Sequence, residues 1–264
     1  MDISVIIVNY KSKEKLLNCL QSLEQSDWSG LNYEIIVVEN ASGDDLVPLA
    51  NQFNHLKLVW SNVNLGMGGG NNLGISHSSG DYILIANPDL IFSTSAIKEL
   101  YQYIHNNPSA AIIGPKLLNP DGSLQYSCAH FPNFFLPLFR RTAIGRWFPV
   151  FNNRYLMKDE NYNQIKEVDW LLGACLLFRR GELFEQGKLF DERFFMYFED
   201  VDLGKRAKRL AKKSIYLPTA QVIHDHMRSS ARLPWYRAIF FDKLAKAHLK
   251  SWWRYFLKWH LNFK

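Results

Sequence analysis

Apolar residues in this chain gather into short β-branched runs, and the stretches between the runs have helical spacing. Residues 3–8 (ISVIIV) are apolar at nearly every position, the form of a strand buried on both faces. Leu16, Leu17, Leu20 and Leu23 then recur at three- and four-residue intervals, which predicts a helix over 13–23. Further strands are predicted at 34–38, 56–60 and 82–86, with a short helix at 46–53. Residues 66–74 read as a glycine-dense turn that runs into a helix ending near His77. Another helix is predicted over 95–106, with Ser93 or Ser95 as its cap. Strands alternating with helices over short links predict an α/β sheet, mainly parallel. Ligands in such sheets bind beyond the carboxyl ends of strands, where Glu39, residues 62–64 and residues 87–89 fall.

The pattern changes after about Gly122. Residues 126–165 hold many aromatics, prolines and arginines with no clean period, the mark of a long functional loop. Order returns over 167–178, an apolar strand-like run around Gly173 and Ala174.

At 264 residues the chain is long enough for one large domain, with or without an appendage. Cys19, Cys128 and Cys175 are odd in number and far apart, which fits a reducing compartment without a disulfide framework or zinc cluster. The first residues lack the basic start and long apolar core of a signal peptide. No run approaches the roughly 18 apolar residues of a membrane span. The expectation is a soluble or peripheral cytoplasmic protein. The net charge of +6 is uneven: residues 231–264 hold eight Lys/Arg and one Asp, together with four of the eight tryptophans.

Three acids, Glu199, Asp200 and Asp202, follow the aromatic run 194–198 (FFMYF) and precede a stretch rich in helix formers. They sit where a helix begins, and there the free N–H groups and the dipole favour negative charge. An apolar wall before a carboxylate also raises its pKa, as a general base requires. A charged first turn that merely starts a helix has the same composition.

Several blocks together resemble the family 2 glycosyltransferases, in particular their bacterial rhamnosyltransferase-like branch. They are 3–10 (ISVIIVNY) with 35–42 (IIVVENAS), 64–74 (NLGMGGGNNLG), 81–90 (DYILIANPDL), and 170–173 (WLLG) leading into the acids. Residues 222–229 (VIHDHMRS) resemble the family's late histidine segment, so the match spans about residues 2–230. The resemblance implies a GT-A fold, with a transferase domain over 1–230 and a basic aromatic amphipathic tail over 231–264. Within the domain, 1–122 would be the nucleotide-sugar half and 123–230 the acceptor half. It implies inverting transfer of a sugar, L-rhamnose from dTDP-L-rhamnose or a galactofuranose or hexose from UDP, onto a lipid-linked saccharide.

The resemblance also implies roles. Asp200 would be the base, with Glu199 orienting it or binding the acceptor. Asn9, Tyr10, Glu39, Asn64, Gly66, Asn71 and Asn87 would meet the donor, with Glu39 in place of the usual aspartate. Asp89 and His224 would hold a divalent metal, Mg or Mn, on a turn where Asn87 replaces the family's first aspartate. Trp170 and Gly173 would meet the acceptor. Plainer readings stay open: a loop carboxylate for Glu39, turn glycines at 66–70, core packing for Trp170, and a core or surface histidine for His224. An extended 224–226 would put His226 on the opposite face from His224, off any shared ion. Asp202 would cap the helix or pair with Arg206.

On a helical wheel Lys243, Lys246, Lys250, Arg254 and Lys258 lie opposite Phe241, Leu244, Trp252, Tyr255 and Trp259. That is the composition of an interfacial membrane helix, with each basic residue contributing about 1 kcal/mol near an anionic leaflet. The inner face of the cytoplasmic membrane is then the expected partner, through Lys246, Lys250, Arg254, Trp252 and Trp259. The aromatic face could instead pack on the domain or form a homodimer seam. No nucleic-acid module accompanies the charge. Two other classes share parts of the pattern. A non-catalytic membrane scaffold with a degenerate transferase fold would explain Asn87 and Glu39, and a nucleotide-binding oxidoreductase would explain the glycine-rich turn alone.

Overall fold

The computed structural model describes residues 1–134, 136, 147–226 and 243–260. Trp235, Phe241, residues 227–229 and the side chains of Lys243 and Leu244 lie outside the described residues.

One mixed sheet organises the chain, in the order β3-β2-β1-β4-β11-β6-β12-β5. Its first four members are β1 (Ile3–Asn9), β2 (Tyr33–Asn40), β3 (Leu56–Ser61) and β4 (Tyr82–Ala86), all parallel. Then come β5 (Leu90–Phe92), β6 (Ala110–Leu118), β11 (Cys175–Arg179) and β12 (Lys213–His224). β6 and β12 pair in parallel, while β11 and β5 run antiparallel to their neighbours. Smaller pieces are β7 (Leu124–Gln125) on β6, β9 (Lys166–Val168) on β12, and β8 (Cys128–Ala129) with β10 (Trp170–Leu171). The expected run over 167–178 is thus three strands that change partners, with Gly173 at the break before β11.

Alternation within each strand divides the core between the two faces of the sheet. Ile3, Val5 and Ile7 pack with Leu16, Leu20 and Leu23 of α1 (Lys13–Glu24) and with Ile97, Leu100 and Ile104 of α4 (Ala96–Asn106). Ile6 and Ile36 pack on the other face with Ile75 of α3 (Gly66–Ser76) and Leu203 and Ala207 of α6 (Glu199–Arg209). Two short helices, α2 (Val47–Gln52) and α5 (Pro149–Tyr155), complete this part of the chain. Ser95 stands at the N-cap of α4 without a capping side-chain hydrogen bond.

The glycine-dense segment is helical from its first glycine, not a turn. A Cβ at Gly74 would lie 2.5 Å from Ile6 Cγ2, and one at Gly70 2.8 Å from Val8 Cγ1, so these glycines let α3 lie against β1. Gly66 has φ +73°, and a Cβ there would fall 2.0 Å from the Phe195 carbonyl oxygen.

The tail forms α7 (Lys243–His260). Tyr255 and Phe256 are buried against Phe194, Phe198 and Val201, with Trp252 and Trp259 partly buried beside them. Among the described residues no helix is long and apolar enough to cross a membrane.

Candidate active site

Strand ends β1, β2, β4 and β12 place Asn9, Glu39, residues 87–89 and His224 along one edge of the sheet. His224 stands opposite Leu90 in the β12–β5 pairing, one residue from Asp89. Its Nε2 lies 3.3 Å from Asp89 Oδ1. Both atoms are buried, and neither makes a hydrogen bond. His224 Nδ1 lies 2.7 Å from Gln125 Oε1, and a proton held on Nδ1 by that acceptor would leave the Nε2 lone pair for a cation. Burial pushes the Asp89 carboxyl up, but His224, Lys15 and His226 outweigh it and hold it below the usual range.

His226 joins this cluster, with Asp89, His224 and His226 each offering an atom within 4.8 Å of the others. The expectation that His226 faces away is therefore wrong. β12 ends at His224, and the chain turns so tightly that the His226 N–H donates to the His224 carbonyl at 2.8 Å. The two rings then stack at 5.2 Å. One carboxylate and neutral imidazole lone pairs suit a divalent cation such as Mg or Mn that keeps its other positions for water and ligand oxygens.

The expected donor residues divide into two groups. Asn9, Asn71 and Asn87 each bury an amide oxygen without a hydrogen-bond partner. Asn9 Nδ2 is held by Asp44 at 2.8 Å, and Tyr10 beside it is 44% exposed. Such oxygens await hydrogen-bond donors, as sugar hydroxyls or base N–H groups are. Glu39, Asn64 and Gly66 are instead occupied in shaping loops. Glu39 turns back to accept from Ala41 N–H, Ser42 N–H and Ser42 Oγ. Asn64 Oδ1 accepts from Gly66 N–H at 2.8 Å. Asn40, which the sequence did not single out, holds that turn through Leu65 N–H and Asn64.

Asp200 and Glu199 open α6. Asp200 is buried, and its Oδ2 accepts the Gly173 N–H at 3.0 Å while Oδ1 accepts the Val201 N–H at 2.8 Å. Gly173 comes just before Ala174, whose carbonyl accepts the Asn87 N–H at 2.8 Å. Asn87 and Asp200 are thereby tied to adjacent residues of one backbone. Burial pushes both carboxyls up, and Glu199 also feels the Asp200 charge and buries an unpartnered Oε2. The two N–H donors favour the ionised form at Asp200. Tyr197 and Phe198 lead into the pair with φ +67° and +69°, two successive left-handed residues of the kind that cluster at functional sites.

A family model described as glycosyl transferase family 2 matches residues 4–181. This chain belongs to that family. It is 30% identical over 283 residues to N-acetylglucosaminyl-diphospho-decaprenol L-rhamnosyltransferase of Mycobacterium tuberculosis, covering 98% of this chain and 88% of that relative. Rhamnosyltransferase WbbL of Escherichia coli is 27% identical over 261 residues, covering 95% of this chain and 91% of its own. The solved structure of GalNAc-T7 with UDP, GalNAc and Mn2+ aligns at a TM-score of 0.68 and 13% identity, over 97% of this chain and 47% of that one. The fold is GT-A, and the chain is a glycosyltransferase.

Elsewhere in this glycosyltransferase some side chains take the plainer roles that the sequence left open. The Trp170 indole N–H donates to the His130 carbonyl at 2.8 Å, and the ring packs among Phe198, Val201 and Tyr255. That matches core packing. A Cβ at Gly173 would lie 3.3 Å from Asp200 Cβ, so this glycine makes room for the carboxylate it also hydrogen-bonds. Asp202 pairs with Arg206 at 3.2 Å and also receives the Lys258 ammonium and the Trp259 indole N–H. Trp252 and Trp259 therefore face the domain, as does Arg254, which donates to the Arg193 carbonyl. The membrane assignment of these three is corrected, because the domain already uses their surface. Lys246 and Lys250 are exposed, and Trp253 between the buried positions is 51% exposed. Asn72, also not singled out, bridges the Phe190 carbonyl and N–H at 2.8 and 2.9 Å, tying α3 to the segment before the acids. Its signal was visible as the second asparagine of the Asn71–Asn72 pair, whereas Gln125 carried none.

Proposed function

We propose that this glycosyltransferase moves L-rhamnose from dTDP-L-rhamnose onto a lipid-linked saccharide in bacterial surface polysaccharide synthesis, with inversion at the anomeric carbon. Near full-length similarity to two proteins named as rhamnosyltransferases supports the sugar, and the name of one supports a polyprenyl-diphosphate-linked acceptor. The observation that carries the chemistry is Asp200, buried and held by two backbone N–H groups beside a second carboxyl that burial pushes up.

Asp200 takes the proton of the acceptor hydroxyl as its oxygen bonds to the anomeric carbon and the bond from that carbon to the dTDP oxygen breaks. Asn71 and Asn87 offer their unpartnered oxygens to donor hydroxyls, and Asn9 with Tyr10 forms the edge for the pyrimidine. In this reading residues 1–122 serve the donor and 123–230 the acceptor. Asp89 and His224, with His226 beside them, would hold a divalent metal, which when bound supplies Lewis-acid screening of the diphosphate. The lipid on the acceptor sets the reaction at the inner face of the cytoplasmic membrane, where Lys246, Lys250 and Trp253 of α7 face outward.

A donor panel with a prenyl-diphosphate-linked saccharide acceptor, read by mass spectrometry, tests the assignment. Transfer of a deoxyhexose mass from dTDP-L-rhamnose is the expected result. Transfer from UDP-hexoses or UDP-galactofuranose alone refutes the donor, and no transfer from any donor refutes the activity.

A further inference from the structure

Residues 191–198 lead into the acid pair, and α7 holds much of this segment. The His248 ring lies 5.0 Å from Tyr197 and 5.4 Å from Phe198, the two left-handed residues. Ser251 Oγ donates to the Met196 carbonyl at 2.8 Å, and Arg254 donates to the Arg193 carbonyl. Lys258 Nζ reaches Asp191 at 2.9 Å and Asp202 at 2.7 Å, and Trp259 Nε1 donates to Asp202 at 2.8 Å. Positions 248, 251, 254, 255, 258 and 259 form one helical face, and every one of them meets this segment or the first turn of α6.

We propose that α7 is a clasp for the catalytic segment, and that Lys258 and Trp259 are positioning residues that fix Asp200 through Asp202. This rests on the reading of Asp200 as the base. Asp202 is fully buried, so its charge needs both cations that reach it, Arg206 from its own helix and Lys258 from α7. Asp200 and Asp202 share the first turn of α6, where the Asp202 N–H donates to the Phe198 carbonyl at 2.9 Å. A shift of Asp202 therefore carries Asp200 with it. Two successive left-handed residues persist only where the surroundings over-determine them, and His248 packs on both.

The test uses the full chain with Lys258→Met, Lys258→Arg and Trp259→Phe. Amide hydrogen exchange over 191–203 should speed up by about tenfold or more in Lys258→Met and Trp259→Phe, while exchange in β1 and β2 stays as in wild type. Turnover should fall by about 10–100-fold, the scale of a small misplacement of a reacting group. The donor KM should hold within about twofold, and Lys258→Arg should recover most of the turnover. Unchanged exchange over 191–203 overturns the clasp. Faster exchange with wild-type turnover overturns the positioning role, and equal acceleration throughout the chain reduces α7 to ordinary packing. Wild-type turnover in Asp200→Asn would sink the base reading by itself, and the exchange measurements would still decide the clasp.

Discussion

Replacing Asp200 by Asn separates the two roles of this carboxylate, because its two oxygens have different partners. Oδ2 accepts from Gly173 and Oδ1 from Val201, so an amide can serve one and must turn its NH2 toward the other N–H. An unsatisfied buried donor costs about 1–3 kcal/mol, which a melting experiment reads. Loss of a general base costs about 10²–10⁴-fold in turnover, or about 3–5 kcal/mol at the barrier. The second effect is the larger and appears in kcat. Donor binding should survive, since the proposed role sets Asp200 against the acceptor hydroxyl. The assay is nucleotide release at saturating donor and acceptor, on protein that melts cooperatively, beside a calorimetric titration of the donor. Wild-type turnover should also fall on the acid side at a pH above the ordinary carboxylate range, because burial raises the carboxyls of this pair. That limb should vanish in the variant. Turnover within a few-fold of wild type in folded Asp200→Asn protein refutes the role.

Glu199→Gln tests where the pair's proton sits. The Glu199 carboxyl is pushed up to about 8 from 4.5, first by burial and then by Asp200. A raised folded value gives stability that is complete below the unfolded value and lost as pH rises, so wild-type Tm should fall relative to Glu199→Gln between about pH 4.5 and 8 and level off above; parallel Tm curves refute it. Chelation should abolish transfer and Mg or Mn should restore it, with His224→Ala and Asp89→Ala weakening donor binding and Gln125→Leu weakening metal affinity by about 10–100-fold; full turnover in excess chelator would show that protein cations screen the diphosphate. Lys246→Glu with Lys250→Glu should release the protein from anionic vesicles in a sedimentation assay, and so should high salt; unchanged binding would remove α7 from the membrane reading.

The first half of the fold was legible because β1, β2 and β4 are near-continuous apolar runs bounded by polar residues. β6 and β12 were not, since each carries a proline, Pro115 or Pro218, and a proline inside a run argues against a strand. Pro218 lies in the register break of β12 between Leu217 and Gln221. The site was legible as residue types at strand ends, but not as geometry. Glu39 looked available and is turned inward on Ser42, whereas His226 looked averted and is brought back by a turn of two residues. Alternation predicts sides only while the backbone stays extended.

Amphipathicity in the tail marked an apolar face without saying what covers it. Its charge has the same ambiguity, and the structure divides it. Arg254 and Lys258 point inward, to the Arg193 carbonyl and to Asp191 and Asp202, while Lys246 and Lys250 point out. The four described cations of α7 are thus two populations: Arg254 and Lys258 satisfy acids and a carbonyl of the segment before α6 and its first turn, while Lys246 and Lys250 stand exposed. Salt acts on them unequally, because exposed charges are screened far more than buried pairs. On the proposed reading, a helix that holds the segment before the acids by one face and offers lysines and Trp253 on the other would bring a lipid-linked acceptor near Asp200 without any change of fold.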